Sequence, residues 1–191
     1  MKLLEERIMK DGEVLAGNVL KVDNFLNHQI DTALAAEMAK EWKRLYEGEK
    51  ITKIVTIEAS GIGIACIAGL ELGVPVVFAK KTKSSNIGND VFYARVTSYT
   101  HGTTYNVIVS KKLISSDDRI LIIDDFLANG SALLALIKVC KDGGATVVGT
   151  GVAIEKSYQR GGSNIRSLGY RVEALARVKS MNENGEIVFE N

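Results

Sequence analysis

Two carboxylates, Asp124 and Asp125, stand side by side at the end of the apolar run Ile120–Ile123. A turn of small residues, Ala128-Asn129-Gly130-Ser131-Ala132, follows within the stretch ILIIDDFLANGSA. Adjacent carboxylates are suited to accept hydrogen bonds from a vicinal diol. A small-residue turn that opens a helix leaves backbone amides without helical partners, and with the helix dipole these make an anion site. Ser131 adds a hydroxyl donor. A carboxylate repels phosphate, so diol and phosphate have to lie at opposite ends of one ligand, the layout of a ribose 5-phosphate. A rival use of an Asp pair after a strand is to hold Mg²⁺ for phosphotransfer. Neither GxxxxGK[ST] nor GxGxxG is present; GIGIACIAG is only a loose echo of the latter.

Three further points carry polar or glycine-containing sequence just after an apolar run: Glu58-Ala59-Ser60-Gly61, Lys80-Lys81 and Glu155-Lys156. In open α/β sheets, ligands bind beyond the carboxyl ends of the strands. Four such ends together point to one ligand crevice. Ser60 and Gly61 offer amides to an anion, and Lys80 and Lys81 offer charge to neutralise one. The segment Thr82–Asp90, TKSSNIGND, has one apolar residue, Ile87, and reads as a lid.

These residues need strands and helices to position them. Residues 1–11 read as a short helix. Asp31 caps a second helix over Thr32–Glu47, with Leu34, Met38, Trp42 and Leu45 at helical spacing and Gly48 past its end. Then come strand Ile54–Ile57, helix Ile62–Leu72, Gly73 and strand Val74–Ala79. FYARVTSYTHGTTYNVIVSKK alternates as a hairpin with HGT at the turn. RILIIDD is a third core strand, Ser131–Lys141 its helix, and TVVGTGVAIEKS a fourth strand. Continuous β-branched strands separated by helices mean an α/β fold with a mostly parallel sheet buried on both faces. Residues 12–30 fit neither period and read as a small separate lobe.

The chain has 191 residues, 46% hydrophobic and 25% charged, enough for one domain over residues 1–191 with a real core. A formal net charge of +1 gives no reason to expect nucleic acid or a membrane as partner. The apolar runs are too short to span a bilayer, and the N-terminus is charged and helical rather than signal-like. Cys66 and Cys140 sit in apolar helical patterns and read as buried free thiols, which fits a reducing cytoplasm. His28 and His101 are too few for a His-rich metal site.

ILIIDDFLANGSA resembles the phosphoribosyl-pyrophosphate (PRPP) motif of type I phosphoribosyltransferases: apolar residues, Asp-Asp, two residues, then Ala-Thr-Gly. Asn129 stands where Thr is usual and Ala132 where Ser or Thr is usual. The Ala-Asn-Gly variant resembles the family's xanthine-using branch, and VLKVDNFLNHQID, IVTIEASGI and IEKS extend the likeness over nearly the whole chain. The resemblance implies the type I fold with an N-terminal hood over about 12–30, to which the C-terminal segment is a candidate addition. It implies phosphoribosyl transfer from PRPP to an oxopurine, with release of diphosphate. Asp124 and Asp125 would be the catalytic pair and Ala128, Asn129, Gly130, Ser131 and Ala132 the PRPP site. Ala59, Ser60 and Gly61 would form a pyrophosphate loop containing a non-proline cis peptide. Leu20, Asn27 and Lys156 would hold the base, with Lys156 on the six-position oxygen. The resemblance also implies Mg²⁺ carried by PRPP rather than ligated by the protein alone, and a homodimer in which Lys80 or Lys81 reaches the partner's site. Xanthine and guanine differ at the two-position, and Asn27 can donate or accept there, so the residues themselves leave the choice open; the resemblance implies xanthine, giving xanthosine 5′-monophosphate. Guanine or hypoxanthine transfer, and a non-catalytic PRPP sensor, are the alternatives.

Overall fold

A computed structural model describes residues 1–82, 90–97, 104–182 and 184–190. The core strands are β3 (Lys53–Ile57), β4 (Val76–Thr82), β7 (Arg119–Leu127), β8 (Thr146–Lys156) and β9 (Val172–Met181). They run parallel in the order β9-β8-β7-β3-β4. A hairpin of β5 (Val91–Thr97) and β6 (Thr104–Ser110) continues the sheet beyond β4, with β6 pairing antiparallel to β4. β10 (Ile187–Phe189) closes the other edge against β9. The sheet is α/β and mostly parallel, as the strand pattern predicts.

Alternation along the strands divides the core in two. Ile54, Leu121, Ile123 and Ala153 face α1 (Lys2–Asp11), α2 (Thr32–Leu45) and α3 (Ser60–Leu72), with Trp42, Tyr46 and Met38 among the buried side chains. Val55, Ile57, Ile120, Ile122 and Val152 face α4 (Ser131–Asp142) and α5 (Gly161–Ser167). The Asp31 cap of α2 forms as read, its carboxylate accepting from the amides of Ala33 and Leu34 at 3.1 Å each.

Several boundaries move for identifiable reasons. α3 begins at Ser60, not Ile62, so the polar loop after β3 winds directly into the helix. β4 begins at Val76, not Val74, because the Val74 amide is used by the left-handed cap at Gly73, donating to Gly69. β7 runs on past Asp125 to Leu127 because it still pairs with β8 there, Phe126 with Ile154 and Leu127 with Glu155. Cys140 is buried as expected, but Cys66 is exposed on the outer side of α3, a correction to the reading of both as buried. The HGT turn and all but the ends of Thr82–Asp90 lie outside the described residues.

Residues 12–30 form a two-stranded antiparallel ribbon, β1 (Glu13–Leu15) and β2 (Val19–Lys21), followed by a π-helical turn over Asp23–Asn27. Val22, Phe25 and Leu26 anchor this lobe in the α1/α2/α3 core. The C-terminal segment supplies β9 and β10, and Met181, Ile187 and Phe189 pack against the same core.

Candidate active site

From β3 the chain proceeds to β4 on one side and to β7 and β8 on the other. In open α/β sheets this reversal of strand order is where ligands bind, beyond the carboxyl ends of β3 and β7. Glu58–Gly61 and Asp124–Ser131 lie at those two strand ends.

Asp124 is 4% exposed. Burial, and the charge of Asp125 beside it, push its carboxyl well above the usual carboxylate range. Its Oδ1 accepts from the Asp125 amide at 3.0 Å, and Asp125 Oδ1 accepts from the Phe126 amide at 2.9 Å. Gly61 sits directly over Asp124. A Cβ there would be 3.2 Å from Asp124 Oδ1 and 2.3 Å from Thr56 Oγ1, so only glycine lets the β3 loop come this close. The Thr56 hydroxyl is buried with no hydrogen-bond partner. The Glu58–Ala59 peptide is cis, as the family likeness implies. Ser60 and Gly61 occupy the first turn of α3, where amides lack helical acceptors.

Beyond β7, Gly130 takes φ +83°, a left-handed conformation that suits glycine, and turns the chain into α4. Asn129 Oδ1 accepts from the Ser131 amide at 2.9 Å. Asn129 is exposed, Ser131 and Ala132 are half-buried, and Ala128 accepts from the Gly161 amide at 3.1 Å. Two helix N-termini thus flank a carboxylate pair.

Strand alternation separates the two lysines. Lys81 lies over the Tyr105 ring at 5.8 Å and its charge bears on Asp124; its amide donates to the Glu58 carboxylate. Lys80 points to the opposite face, into a surface depression of about 390 Å³ with Phe78, Ile108 and Leu113.

At the end of β8, Lys156 Nζ donates to the Asn18 carbonyl at 2.7 Å and lies over the Phe126 ring at 5.8 Å. Burial pulls its ammonium below the usual lysine range. The contact with Asn18 joins the hood to the sheet. On the hood, Leu20 is 5% exposed and packed in its core. Asn27 ends the π-helical turn with its Oδ1 buried and unpartnered. Tyr158 is exposed, whereas Phe126 is half-buried beside Lys156.

Two contributions escape a reading by motif. Glu155, beside Lys156 in sequence, is 1% exposed and ion-paired with Arg166 and Arg177. Gly161 touches the underside of the Ala128–Gly130 turn. The Arg160-Gly161-Gly162 run after a core strand was the only visible signal for the second.

The phosphoribosyl transferase domain profile matches residues 21–174, and the chain belongs to that family. Adenine phosphoribosyltransferases share the fold. The Giardia lamblia enzyme gives a TM-score of 0.75 at 24% identity over 86% of this chain and 89% of that one. The Trypanosoma brucei enzyme gives 0.76 at 18%, over 91% and 79%. In sequence, the xanthine phosphoribosyltransferase of Lachnoclostridium phytofermentans is 60% identical over 99% of this chain and 98% of its own. That of Ruminiclostridium cellulolyticum is 52% identical over 99% of both.

Proposed function

We infer that the chain transfers the 5-phosphoribosyl group of PRPP to xanthine, giving xanthosine 5′-monophosphate and diphosphate, a purine-salvage reaction. One juxtaposition carries the reading: a buried carboxyl and a half-buried one side by side between two helix N-termini, with a half-buried lysine at the neighbouring strand end. The sequence likeness to xanthine phosphoribosyltransferases supports the choice of base.

In this reading the amides of Ala128–Ala132 hold the 5-phosphate, and Asp124 and Asp125 accept from the two ribose hydroxyls. Ala59–Gly61 and Lys81 face the diphosphate. The bond from C1 of the ribose to diphosphate breaks as a ring nitrogen of the base attacks. The charge on the sugar passes through an oxocarbenium-like state, so positioning and electrostatics supply most of the catalysis. The Lys156 ammonium favours an oxo group at the six-position and disfavours the amino group of adenine. Asn27, with one donor and one unpartnered acceptor, matches the two-position oxygen of xanthine and the ring N–H beside it. Leu20 covers the base.

Mg²⁺ belongs to this reading as the companion of PRPP, neutralising the diphosphate. Among the described residues no group of three or more His, Cys, Asp or Glu side chains could hold a metal ion by itself, which fits a cation that arrives with its substrate. A homodimer belongs to it as well. The outer face of β4–β6 and the turn after it, where Phe78, Tyr93 and Leu113 are exposed, is the apolar surface offered for such a contact, and Lys80 lies on that face. Light scattering would test it. Among the described residues no helix is long and apolar enough to cross a membrane; a cytoplasmic location is part of the proposal.

The deciding experiment supplies PRPP and Mg²⁺ and follows diphosphate release with xanthine, guanine, hypoxanthine and adenine. Preference for xanthine is expected. Preference for guanine or hypoxanthine would reassign Asn27, and binding of PRPP without turnover of any base would turn the protein into a sensor.

A further inference from the structure

The base end and the phosphate end of the site are built on different strands, yet one short helix touches the supports of both. α5 meets the phosphate turn through Gly161. Its amide donates to the Ala128 carbonyl at 3.1 Å. A Cβ on Gly161 would lie 2.2 Å from that oxygen, 2.6 Å from the Gly130 nitrogen and 2.7 Å from the Asn129 carbonyl carbon. All three are backbone atoms of the phosphate turn, so none can step aside without moving the turn itself. Ile165 of the same helix lies under Gly130: a Cβ there would be 3.3 Å from Ile165 Cδ1.

The other attachment is ionic. Arg166 Nη1 and Nη2 donate to the two Glu155 oxygens at 2.6 and 2.8 Å, a bidentate pair. Arg177 of β9 adds a third contact at 3.1 Å and itself pairs with Glu190 at 2.7 Å. Burial raises the cost of the Glu155 charge, but Arg166 and then Arg177 outweigh it and hold the carboxyl below its ordinary range. Gly162 leaves the space this pair occupies, since a Cβ there would be 1.8 Å from Glu155 Oε1. Glu155 directly precedes Lys156, so the clamp that anchors α5 also anchors the strand end that presents Lys156.

We propose that Glu155 and Gly161 are positioning residues: through α5 they hold Lys156 and the Ala128–Ala132 phosphate turn at a fixed separation, so that one ligand can be gripped at both ends. The inference deepens the transferase reading and rests on it. Glu155 is engaged by Arg166 and Arg177, and Gly161 by the backbone of the phosphate turn, so both act through other residues.

The test compares Glu155→Gln, Arg166→Lys and Gly161→Ala with the parent. PRPP affinity is measured by calorimetry, KM for both substrates and kcat by diphosphate release, and folded fraction by circular dichroism. Gly161→Ala should weaken PRPP by a factor on the order of ten to a hundred, the scale of an ångström-level misplacement, with the KM for xanthine nearly unchanged. Glu155→Gln should raise both KM values. Arg166→Lys keeps the charge but not the bidentate geometry and should fall between Glu155→Gln and the parent, which covers the case that Glu155→Gln folds poorly. If PRPP affinity and both KM values stay at parental levels and kcat falls only with the folded fraction, the residues are merely structural and the proposal is overturned. Failure of the transferase reading would show separately, as absence of turnover in the parent, while calorimetry would still report on the phosphate turn.

Discussion

Replacing Asp124 with Asn should make the ligand-free protein more stable and the enzyme worse. The side chain is buried, and burial together with the Asp125 charge raises its carboxyl well above the ordinary range. For a carboxyl whose folded pKa lies above its unfolded value, the favourable contribution is complete below the unfolded value, near 3.9. It is lost as pH rises through the folded pKa, so stability falls with rising pH as the buried group ionises. Asn keeps an oxygen for the Asp125 amide and removes the charge. Each 1 kcal/mol recovered should raise Tm by ~2–4 °C for a chain of this length. The lost carboxylate–hydroxyl bond is worth ~1.5–3 kcal/mol, so PRPP should bind about 10- to 150-fold more weakly. Melting curves from pH 5 to pH 8 and calorimetry with PRPP check both halves. A stability advantage that does not grow with pH would refute the electrostatic argument, and unchanged PRPP affinity would refute the diol assignment.

Lys156→Met keeps an apolar stem against Phe126 but loses the charge-assisted bond. Steady-state kinetics should show KM for xanthine raised roughly 10- to 150-fold, with PRPP affinity by calorimetry unaltered. Asn27→Leu removes a buried unpartnered oxygen, so Tm should rise while the preference for xanthine over hypoxanthine, which lacks the two-position oxygen, shrinks; an intact ratio would clear Asn27 of that role. Gly61→Ala drives a methyl against Thr56 Oγ1 and should cost ~1–3 kcal/mol in denaturant unfolding along with PRPP binding. Adding Thr56→Ala should restore part of the stability, and no recovery would mean the clash lies elsewhere.

The sequence by itself determined the parallel sheet, the capped helix α2, the β5–β6 hairpin and the PRPP motif, because each is written in local periodicity or a short contiguous pattern. Asp124, Asp125 and Gly130 were legible for the same reason: strand, acids and helix start follow one another in a single stretch. What tertiary structure decided is everything that depends on which loops meet. That Gly61 lies on Asp124 follows from β3 and β7 being neighbours, a consequence of strand order and not of any residue nearby. The separation of Lys80 from Lys81 required knowing that β4 continues through both, so that alternation sends them to opposite faces. β9 was unread because VEALARVKSM mixes charge into its apolar pattern, and only pairing with β8 makes it a core strand. Arg166 and Arg177 look like surface charges until the fold brings both to Glu155 in the interior. There a lone carboxylate would be costly, and two guanidinium groups make it tolerable.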